Sequence, residues 1–348
     1  MPLTAPTRVG LIGVGQMARH HLRTMIGRAD TTVVAVCEPS EAAWDAAATE
    51  LTTRDMAPVP NEPDWERFLA RYAGSLDAVV ISTPHALHHD QGVGSLDAGL
   101  DVLLEKPMVM TAAEATSLIE TRDRTGRLVV VGFPGSLSPN LREAARLIGS
   151  GEIGSILNIS AVAWQDWDAG SRGTWRQVPE ISGGGFLFDT GAHMLNSVAD
   201  LAGEEVTEVA AWLEDDGAPV DLRGAIMARL ASGGLVTMNA CGRAVPSCAS
   251  EIRVFCEGAT ILTGIWGERL EIQRAGDPGL ASIAEAAQGS VWDQFLDVRS
   301  GRTGNPSPPE VGLRMALLWD AIRASAARGG SVVRPTLLHL TSGLKETA

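Results

Sequence analysis

Residues 8–18 of the chain read RVGLIGVGQMA. The first five form an apolar stretch typical of a buried strand, and helical spacing follows the glycines. In a strand-to-helix turn, Gly13 permits the tight turn, Gly15 lets the backbone approach a pyrophosphate, and Ala18 lets the helix pack closely on the strand. An ordinary tight turn is the alternative interpretation. We predict a dinucleotide-binding loop composed of Gly13, Gly15, Gln16, Met17 and Ala18.

Strands and helices alternate over the first 130 residues. After the opening strand, further strands are predicted at 32–37, 77–82, 101–104 and 128–132, with helical segments between them. This alternation predicts βαβ units and an α/β fold with a doubly wound parallel sheet over residues 1–130, the arrangement called a Rossmann domain. The continuous apolar character of the strands agrees, because helices cover both faces of such a sheet.

The pattern changes after residue 130. Consecutive strands without intervening helices are predicted between residues 155 and 256, which indicates an antiparallel or mixed sheet and a second domain over residues 131–335. One continuous helix is predicted from about Phe186 to Ala202, after a glycine-rich turn. Residues 336–348 are expected to form a C-terminal tail.

Glu38 ends the second predicted strand, 25 residues after Gly13. An acid at this place accepts hydrogen bonds from both ribose hydroxyls of NAD. It would repel the 2′-phosphate of NADP, and no arginine stands within the next three residues to receive that phosphate. The sequence therefore predicts NAD as the cofactor, with a solvated glutamate at a strand end as the alternative.

Two later strand ends also carry polar groups. Ser82-Thr83-Pro84-His85, followed by His88, comes after one strand, and Glu105-Lys106-Pro107 comes after the next. Ligands bind at the carboxyl ends of the strands in open α/β sheets, so these residues are predicted to contact the cofactor or substrate. Surface histidines and a surface ion pair are the alternatives.

Lys106 has a further distinction. Only two of the 28 basic residues are lysines, Lys106 and Lys345, so this chain uses arginine wherever charge alone is needed. A retained lysine suggests that a compact, titratable ammonium is required at that position. Such a group could polarise a reacting hydroxyl or carbonyl, and the neighbouring acid could tune it.

Asp189 and His193 lie four residues apart on the helix predicted after the glycine-rich turn, and hence on one face. A carboxylate can hold an imidazole in one tautomer while the other ring nitrogen acts as acid or base. A structural histidine is the alternative interpretation of His193 taken alone.

A dense aromatic and polar stretch precedes this helix. Tryptophan faces suit the C–H faces of sugars, and carboxylates and amides suit their hydroxyls. Individual tryptophans could equally belong to the core. The stretch contains Trp164, Gln165, Asp166, Trp167, Asp168, Trp175 and Arg176. The candidate substrate residues chosen from it are Trp164, Gln165, Asp166, Trp175 and Arg176.

Composition excludes several classes of protein. The formal net charge is −14 and no Lys/Arg cluster is visible, which argues against nucleic-acid and membrane-surface binding. No apolar run has the length of a membrane span, and the N-terminus is too polar for a secretory signal. None of the four cysteines forms a Cys-x-x-Cys pair, and no metal is expected. We expect a cytoplasmic protein.

The motifs occur in an order that resembles the glucose–fructose oxidoreductase / inositol dehydrogenase (Gfo/Idh/MocA) family over nearly the whole chain. The resemblance rests on the glycine loop, Glu105-Lys106-Pro107, Gly151-Glu152-Ile153-Gly154, Gly183-Gly184-Gly185 and Asp189-x-x-x-His193. It implies a Rossmann domain followed by an α/β domain with a large open sheet that mediates oligomerisation, as a homodimer or homotetramer. It also implies that Lys106, Asp189 and His193 are the catalytic residues, and that Lys-Pro lies beside the nicotinamide.

The resemblance implies an NAD-dependent dehydrogenase acting on a CH–OH group of a sugar, inositol, aminocyclitol or glycoside. His193 would take the hydroxyl proton, Asp189 would orient His193, and Lys106 would stabilise the oxyanion. One departure puts inositol in doubt: no arginine follows Gly132-Phe133 here, and Phe133 remains a candidate substrate residue, with Arg176 or Arg243 supplying a compensating charge. The alternatives are an NAD-dependent glycosidase and a non-catalytic sugar or nucleotide sensor.

Overall fold

The chain forms two compact units. The computed structural model describes residues 5–53, 59–283 and 289–335. The first unit comprises Met1–Val109, Glu114–Gly132 and Gly289–Glu310, and the second comprises Met110–Ala113, Phe133–Gln288 and Val311–Ala348. The tail predicted at 336–348 lies outside the described residues. Among the described helices, none combines the length and the hydrophobicity that crossing a bilayer requires.

Within its described residues, the first unit contains a five-stranded parallel sheet in the order β2-β1-β3-β4-β5. Its strands are β1 (Thr7–Ile12), β2 (Thr31–Cys37), β3 (Ala78–Ile81), β4 (Asp101–Glu105) and β5 (Val129–Gly132). The helices of this part of the chain are α1 (Gln16–Met25), α2 (Glu41–Thr52), α3 (Trp65–Tyr72), α4 (His88–Asp97) and α5 (Ala112–Thr125). Strands β3 and β5 are buried along their whole length, as expected for a sheet covered on both faces. The predicted doubly wound sheet is confirmed.

The register of this sheet aligns the carboxyl ends of its strands. Ile12 pairs with both Cys37 and Ile81, and Glu105 pairs with Gly132. The residues that follow these positions therefore lie along one edge of the sheet. This is the edge at which doubly wound sheets bind ligands.

The second unit contains an eight-stranded sheet among its described residues, in the order β13-β12-β11-β10-β6-β9-β8-β7. The pair β6·β9 is parallel and the other pairs are antiparallel, so the sheet is mixed, as predicted. Its strands are β6 (Ile156–Asp166), β7 (Val206–Glu214), β8 (Arg223–Leu230), β9 (Leu235–Cys241), β10 (Arg243–Cys256), β11 (Ala259–Thr263), β12 (Leu270–Arg274) and β13 (Ala281–Ser282). The helices that precede or connect them are α6 (Pro134–Leu137), α7 (Pro139–Gly149), α8 (Trp167–Ser171), α9 (Pro179–Ser182), α10 (Phe186–Asp189) and α11 (Gly191–Ala202).

The two faces of this sheet differ. Along β8, buried and exposed residues alternate strictly, so Ile226 and Ala228 enter the core while Met227 faces outward. Helices α7, α10 and α11 contact the sheet from its core side. On the outward side, Trp212 is 48% exposed and Met227 is 56% exposed.

The single helix predicted from Phe186 to Ala202 is wrong in one respect, because the structure divides it at Thr190 into α10 and α11. The amide of His193 donates to the carbonyl of Thr190, a tightened turn of the i→i−3 kind. Asp221 anchors the start of α10: its carboxylate accepts hydrogen bonds from the amides of Gly185 and Leu187, at 2.7 and 3.0 Å. The start of α10 is therefore fixed by a residue distant in sequence.

A late segment returns to the first unit. It carries α12 (Val291–Arg299), after which α13 (Pro309–Ala326) belongs mainly to the second unit. Trp292 is fully buried, and its indole N–H donates to the hydroxyl of Thr31 at 3.0 Å. Asp293 forms an ion pair with Arg28. The sequence predicts that all of 131–335 belongs to the second domain, whereas Gly289–Glu310 belongs to the first unit. No local pattern in α12 indicates which unit it packs with.

Candidate active site

The glycine loop follows β1 and leads into α1, as predicted. Gly13 has a φ of +85°, and a Cβ atom there would lie 2.6 Å from the carbonyl oxygen of Ser82, so only glycine fits. Beside Gly15 the space is open to at least 4 Å. Among the described residues, no side chain caps the first turn of α1, which leaves its N–H groups for an anion. The loop therefore fits a pyrophosphate.

Glu38 is nearly buried and is already fixed by the loop beside it. One carboxylate oxygen accepts the amide N–H of Val14 and the other accepts that of Ser40, both at 2.8 Å. The side chain of Asn61 bonds both backbone groups of Glu38, at 2.9 and 3.0 Å. Each carboxylate oxygen has a second lone pair with which it can accept a ribose hydroxyl. Glu38 thus joins the glycine loop to the end of β2, a role that the sequence did not indicate.

Replacing Glu38 with alanine should weaken NAD binding by roughly 10- to 100-fold, because two backbone N–H groups and the ribose hydroxyls lose a charged acceptor. The preference for NAD over NADP should narrow as well, since the carboxylate no longer repels the 2′-phosphate. Titration of both dinucleotides by fluorescence measures both effects. Glu41→Ala, on the exposed start of α2, is the matched control. Equal or tighter binding of NADP by the unaltered protein would contradict the assignment.

The two candidate histidines after β3 are buried rather than on the surface. His85 begins a short 3₁₀ turn and is 4% exposed, and His88 is 1% exposed. The two ring nitrogens of His88 lie 2.9 Å from the carbonyl oxygens of Pro107 and Thr83. Burial lowers the pKa of His88, so the neutral ring carries one N–H and donates to one carbonyl at a time. His88 thus links the strand ends of β3 and β4.

Lys106 follows β4 at the same edge of the sheet and is half-buried. Its neighbour Glu105 is 7% exposed and lies 2.6 Å from the ring Nε2 of His21, on α1. The other oxygen of Glu105 accepts the backbone N–H of Lys106 at 3.1 Å. The acid beside Lys106 is therefore part of a buried cluster, and the alternative of a surface ion pair does not describe it.

In the second unit, Asp189 ends α10 and is almost fully buried. One carboxylate oxygen accepts two hydrogen bonds, from the indole N–H of Trp167 at 2.9 Å and from Nε of Arg176 at 3.0 Å. The guanidinium of Arg176 also lies over the ring of Trp175, 4.6 Å from its centroid. Arg176 was predicted to contact substrate, and the structure shows it holding Asp189.

His193 lies in the first turn of α11 and is 8% exposed. Its ring packs edge to face against Phe133, with centroids 6.0 Å apart, and against Trp266, with centroids 5.8 Å apart. The loop carrying Trp266 is itself held by α11, because the hydroxyl of Ser197 donates to the carbonyl of Ile265 at 2.7 Å. These contacts restrict the orientation of the imidazole ring.

Three further substrate candidates lie at the end of β6. Gln165 accepts a hydrogen bond from the hydroxyl of Thr190, between Asp189 and His193, at 2.9 Å. Trp164 precedes it on β6 and therefore faces the opposite side of the sheet, away from that pair. Asp166 ends β6, where its backbone is in register with that of Arg243 on β10.

Arg243 also forms ion pairs with Asp168 and Asp216, at 3.2 and 3.8 Å. The hydrogen bond from Arg172 holds the pKa of the Asp168 carboxyl below its ordinary value. Both arginines that could replace the one absent after Phe133, Arg176 and Arg243, are thus engaged with acids of the chain itself.

Four residues of these surroundings were not in the sequence-based set. They contact a candidate residue or fix the helix that carries it, and they are distant from it in sequence: His21, Trp167, Asp221 and Trp266. Trp167 stood within the aromatic stretch, and its position beside Asp166 was a usable signal. For the other three, no local pattern indicates the partner.

Two family models match the chain. The model described as an oxidoreductase family with an NAD-binding Rossmann fold covers residues 7–133, and the GFO/IDH/MocA C-terminal domain covers residues 141–262. Together they span more than half of the chain. The chain belongs to the Gfo/Idh/MocA oxidoreductase family. The predicted family is confirmed, and the cofactor prediction, NAD, agrees with the family's description.

Several family members with known names are similar to this chain. Inositol 2-dehydrogenase 4 of Saccharopolyspora erythraea is 26% identical, over 94% of this chain and 93% of its own length. Inositol 2-dehydrogenase of Leifsonia xyli is 32% identical over 65% of this chain and 63% of its own length, and D-glucoside 3-dehydrogenase of Escherichia coli is 27% identical over 58% and 55%. The alignments with these last two span less than two thirds of the relatives' length.

The fold is also that of solved structures. Levoglucosan dehydrogenase in complex with NADH and levoglucosan superimposes with a TM-score of 0.79 at 23% identity, over 95% of this chain and 99% of that one. Aldose-aldose oxidoreductase from Caulobacter crescentus gives a TM-score of 0.80 at 20% identity, over 94% and 99%. At this identity the likeness establishes the fold alone.

Proposed function

We propose that this protein is an NAD-dependent dehydrogenase that acts on a secondary hydroxyl, or the corresponding ketone, of a sugar, inositol, aminocyclitol or glycoside. The observation that supports the proposal is that Asp189 is buried and doubly hydrogen-bonded at the end of α10, while the ring of His193, four residues later, is packed against Phe133 and Trp266. A binding module has no need of a carboxylate and an imidazole that are both fixed within one short segment. In a family of NAD-binding oxidoreductases, that pair suits general base catalysis.

Each proposed catalytic residue has a separate role. His193 accepts the hydroxyl proton of the substrate at a ring nitrogen, and Phe133 and Trp266 restrict its ring. Asp189 supplies a fixed negative charge near the imidazolium that forms. Lys106 donates a hydrogen bond to the oxygen on which negative charge develops.

When bound, NAD supplies the hydride acceptor at its nicotinamide ring. The chain would hold it through the glycine loop and Glu38, whose geometry fits a pyrophosphate and a ribose. The residues after β3 and β4 lie along the same sheet edge, and we propose them as the remaining cofactor contacts: Ser82, Thr83, Pro84, His85, His88, Glu105, Lys106 and Pro107.

The substrate class follows from the chemistry of the second unit. Gln165 accepts a hydrogen bond from Thr190, which lies between Asp189 and His193 in the chain, and can offer its amide N–H groups to a hydroxyl. Trp266 is half-buried and can offer its face to the C–H groups of a ring. Relatives are named for inositol, for D-glucosides and for levoglucosan, all of which carry secondary hydroxyls on a ring.

The test is a panel of myo-inositol, scyllo-inositol, D-glucose, methyl glucosides and levoglucosan, each with NAD, followed by absorbance of NADH. We expect one NADH for each substrate molecule oxidised. Release of the aglycone without accumulation of NADH would establish a glycosidase instead. Binding of a sugar with neither product would establish a sensor.

We also propose a homodimer or homotetramer that associates through the outward face of the eight-stranded sheet. The exposed Trp212 and Met227 form an apolar patch there, and water-exposed patches of this kind mark interfaces. The proposal places the protein in the cytoplasm, which suits its four free thiols.

Met227→Glu should convert the assembly to monomers, because a buried unpaired carboxylate at the centre of an apolar interface is costly. Sedimentation velocity measures the change. Leu87→Glu introduces the same charge at an exposed apolar position of the first unit and should leave the assembly intact. A variant at Met227 that sediments like the unaltered oligomer would rule out this face.

A further inference from the structure

The buried cluster next to Lys106 contains more ionisable groups than the proposed chemistry uses. His21 is 2% exposed and Glu105 is 7% exposed, and their side chains meet at 2.6 Å. His21 comes from α1, behind the glycine loop, whereas Glu105 is the last residue of β4. This long-range contact joins the loop that fits the pyrophosphate to the segment that carries Lys106.

The charge state of Glu105 depends on its partners. Burial raises the pKa of the Glu105 carboxyl, but the hydrogen bond and charge of His21, together with Lys106, outweigh it and hold the pKa below its ordinary value. Glu105 is therefore ionised, and the His21 ring nitrogen donates to it. The other histidine that responds to the charge of Glu105 is His88, on α4, which burial keeps neutral.

The Glu105 carboxylate acts on Lys106 through the main chain. Its second oxygen accepts the Lys106 backbone N–H at 3.1 Å, which fixes the main chain from which the lysine side chain projects. This restraint is lost if the carboxyl group rotates away.

We propose that His21 is a positioning residue for Lys106, acting through Glu105: its N–H holds the Glu105 carboxylate in place against the main chain of Lys106. His21 itself touches neither substrate nor cofactor in this proposal. The inference rests on the proposed role of Lys106 for its effect on turnover, but its effect on the lysine itself does not depend on that role.

The first test measures Lys106 directly. Lys106 and Lys345 are the only lysines, so the acetylation rate of Lys106 by acetic anhydride can be read by peptide mass spectrometry, with Lys345 as the internal reference. At pH 7 we expect His21→Met and Glu105→Gln to raise that rate several-fold, because the segment that carries Lys106 loses the restraint of the Glu105 carboxylate and exposes the amine to the reagent more often. His21→Gln retains an N–H at a similar place and should restore the rate of the unaltered protein.

The second test measures turnover on whichever panel substrate is oxidised fastest. His21→Met should lower kcat by about 10- to 100-fold at pH 7 with little change in KM, and the loss should shrink toward pH 9. The sign follows from Glu105: without its donor, burial raises its pKa, so the carboxyl is neutral at low pH and ionises again as pH rises. A merely structural defect would lower kcat by the same factor at every pH. His20→Gln, at the exposed neighbour on α1, is the matched control.

The outcomes are separable. Acetylation of Lys106 at the unaltered rate in Glu105→Gln overturns the inference, as does a failure of His21→Gln to restore what His21→Met loses. If His21→Met does not fold, the acetylation rates of Lys106 in His21→Gln and Glu105→Gln still test the inference. Raised acetylation with unchanged kcat would support the inference and contradict the catalytic role of Lys106.

Discussion

Replacing His193 with alanine should lower kcat for oxidation by ~10²- to 10⁴-fold, the scale of losing a general base. The acidic limb of the pH–rate profile should disappear as well. In the unaltered protein we expect the rate to fall as pH falls, because a protonated imidazole cannot accept the hydroxyl proton. Steady-state kinetics across pH measures both effects. His89→Ala, a half-buried histidine on α4, should change neither.

Asp189 provides the companion test. Asp189→Asn keeps the shape but removes the charge that faces Trp167 and Arg176. We expect kcat to fall more than substrate affinity, because a misoriented His193 ring leaves the groups that bind the substrate in place. Trp167→Phe removes one donor and keeps the carboxylate, so its loss should be smaller. If His193→Ala retains the acidic limb, another group is the base.

Lys106→Ala should lower kcat by ~10²-fold or more while the affinity for NAD changes less than about twofold. The reason is that the ammonium group stabilises the negative charge that develops on the substrate oxygen during the reaction. The glycine loop and Glu38, by contrast, provide most of the affinity for the dinucleotide. Kinetics and a separate NAD titration measure the two effects. Lys345→Ala, which removes the only other lysine, is the control. Full activity in Lys106→Ala would show that the ammonium is incidental.

What the sequence could predict was local. The turn at Gly13, the acid at Glu38 and the Lys106 segment each follow an apolar strand, and the period of the pattern identifies such strands without knowledge of their partners. Because the carboxyl ends of parallel strands align, their position at one edge of the sheet also followed. The mixed sheet was predicted for the same reason, from strands that lack intervening helices.

What the sequence could not predict depends on contacts between distant residues. The start of α10 is bonded by Asp221, which lies more than thirty residues later, so no local pattern indicated this anchor. Two other contacts likewise join segments that are far apart in the chain. The ring of Trp266 packs against His193, and the ring of His21 bonds Glu105. Arg176 was assigned to substrate because nothing local showed that a buried acid would bind it.

The return of α12 to the first unit has a consequence for synthesis of the chain. Trp292 fills a position against Thr31 that stays vacant until residue 292 has been made. At about 5–20 residues per second, residues 133–288 take roughly 8 to 30 seconds to translate. During this interval the parallel sheet of the first unit has no α12 to pack with it. Nascent chains released before residue 289 would therefore expose that apolar position, and we expect them to be held by chaperones or degraded rather than to accumulate as a free nucleotide-binding domain.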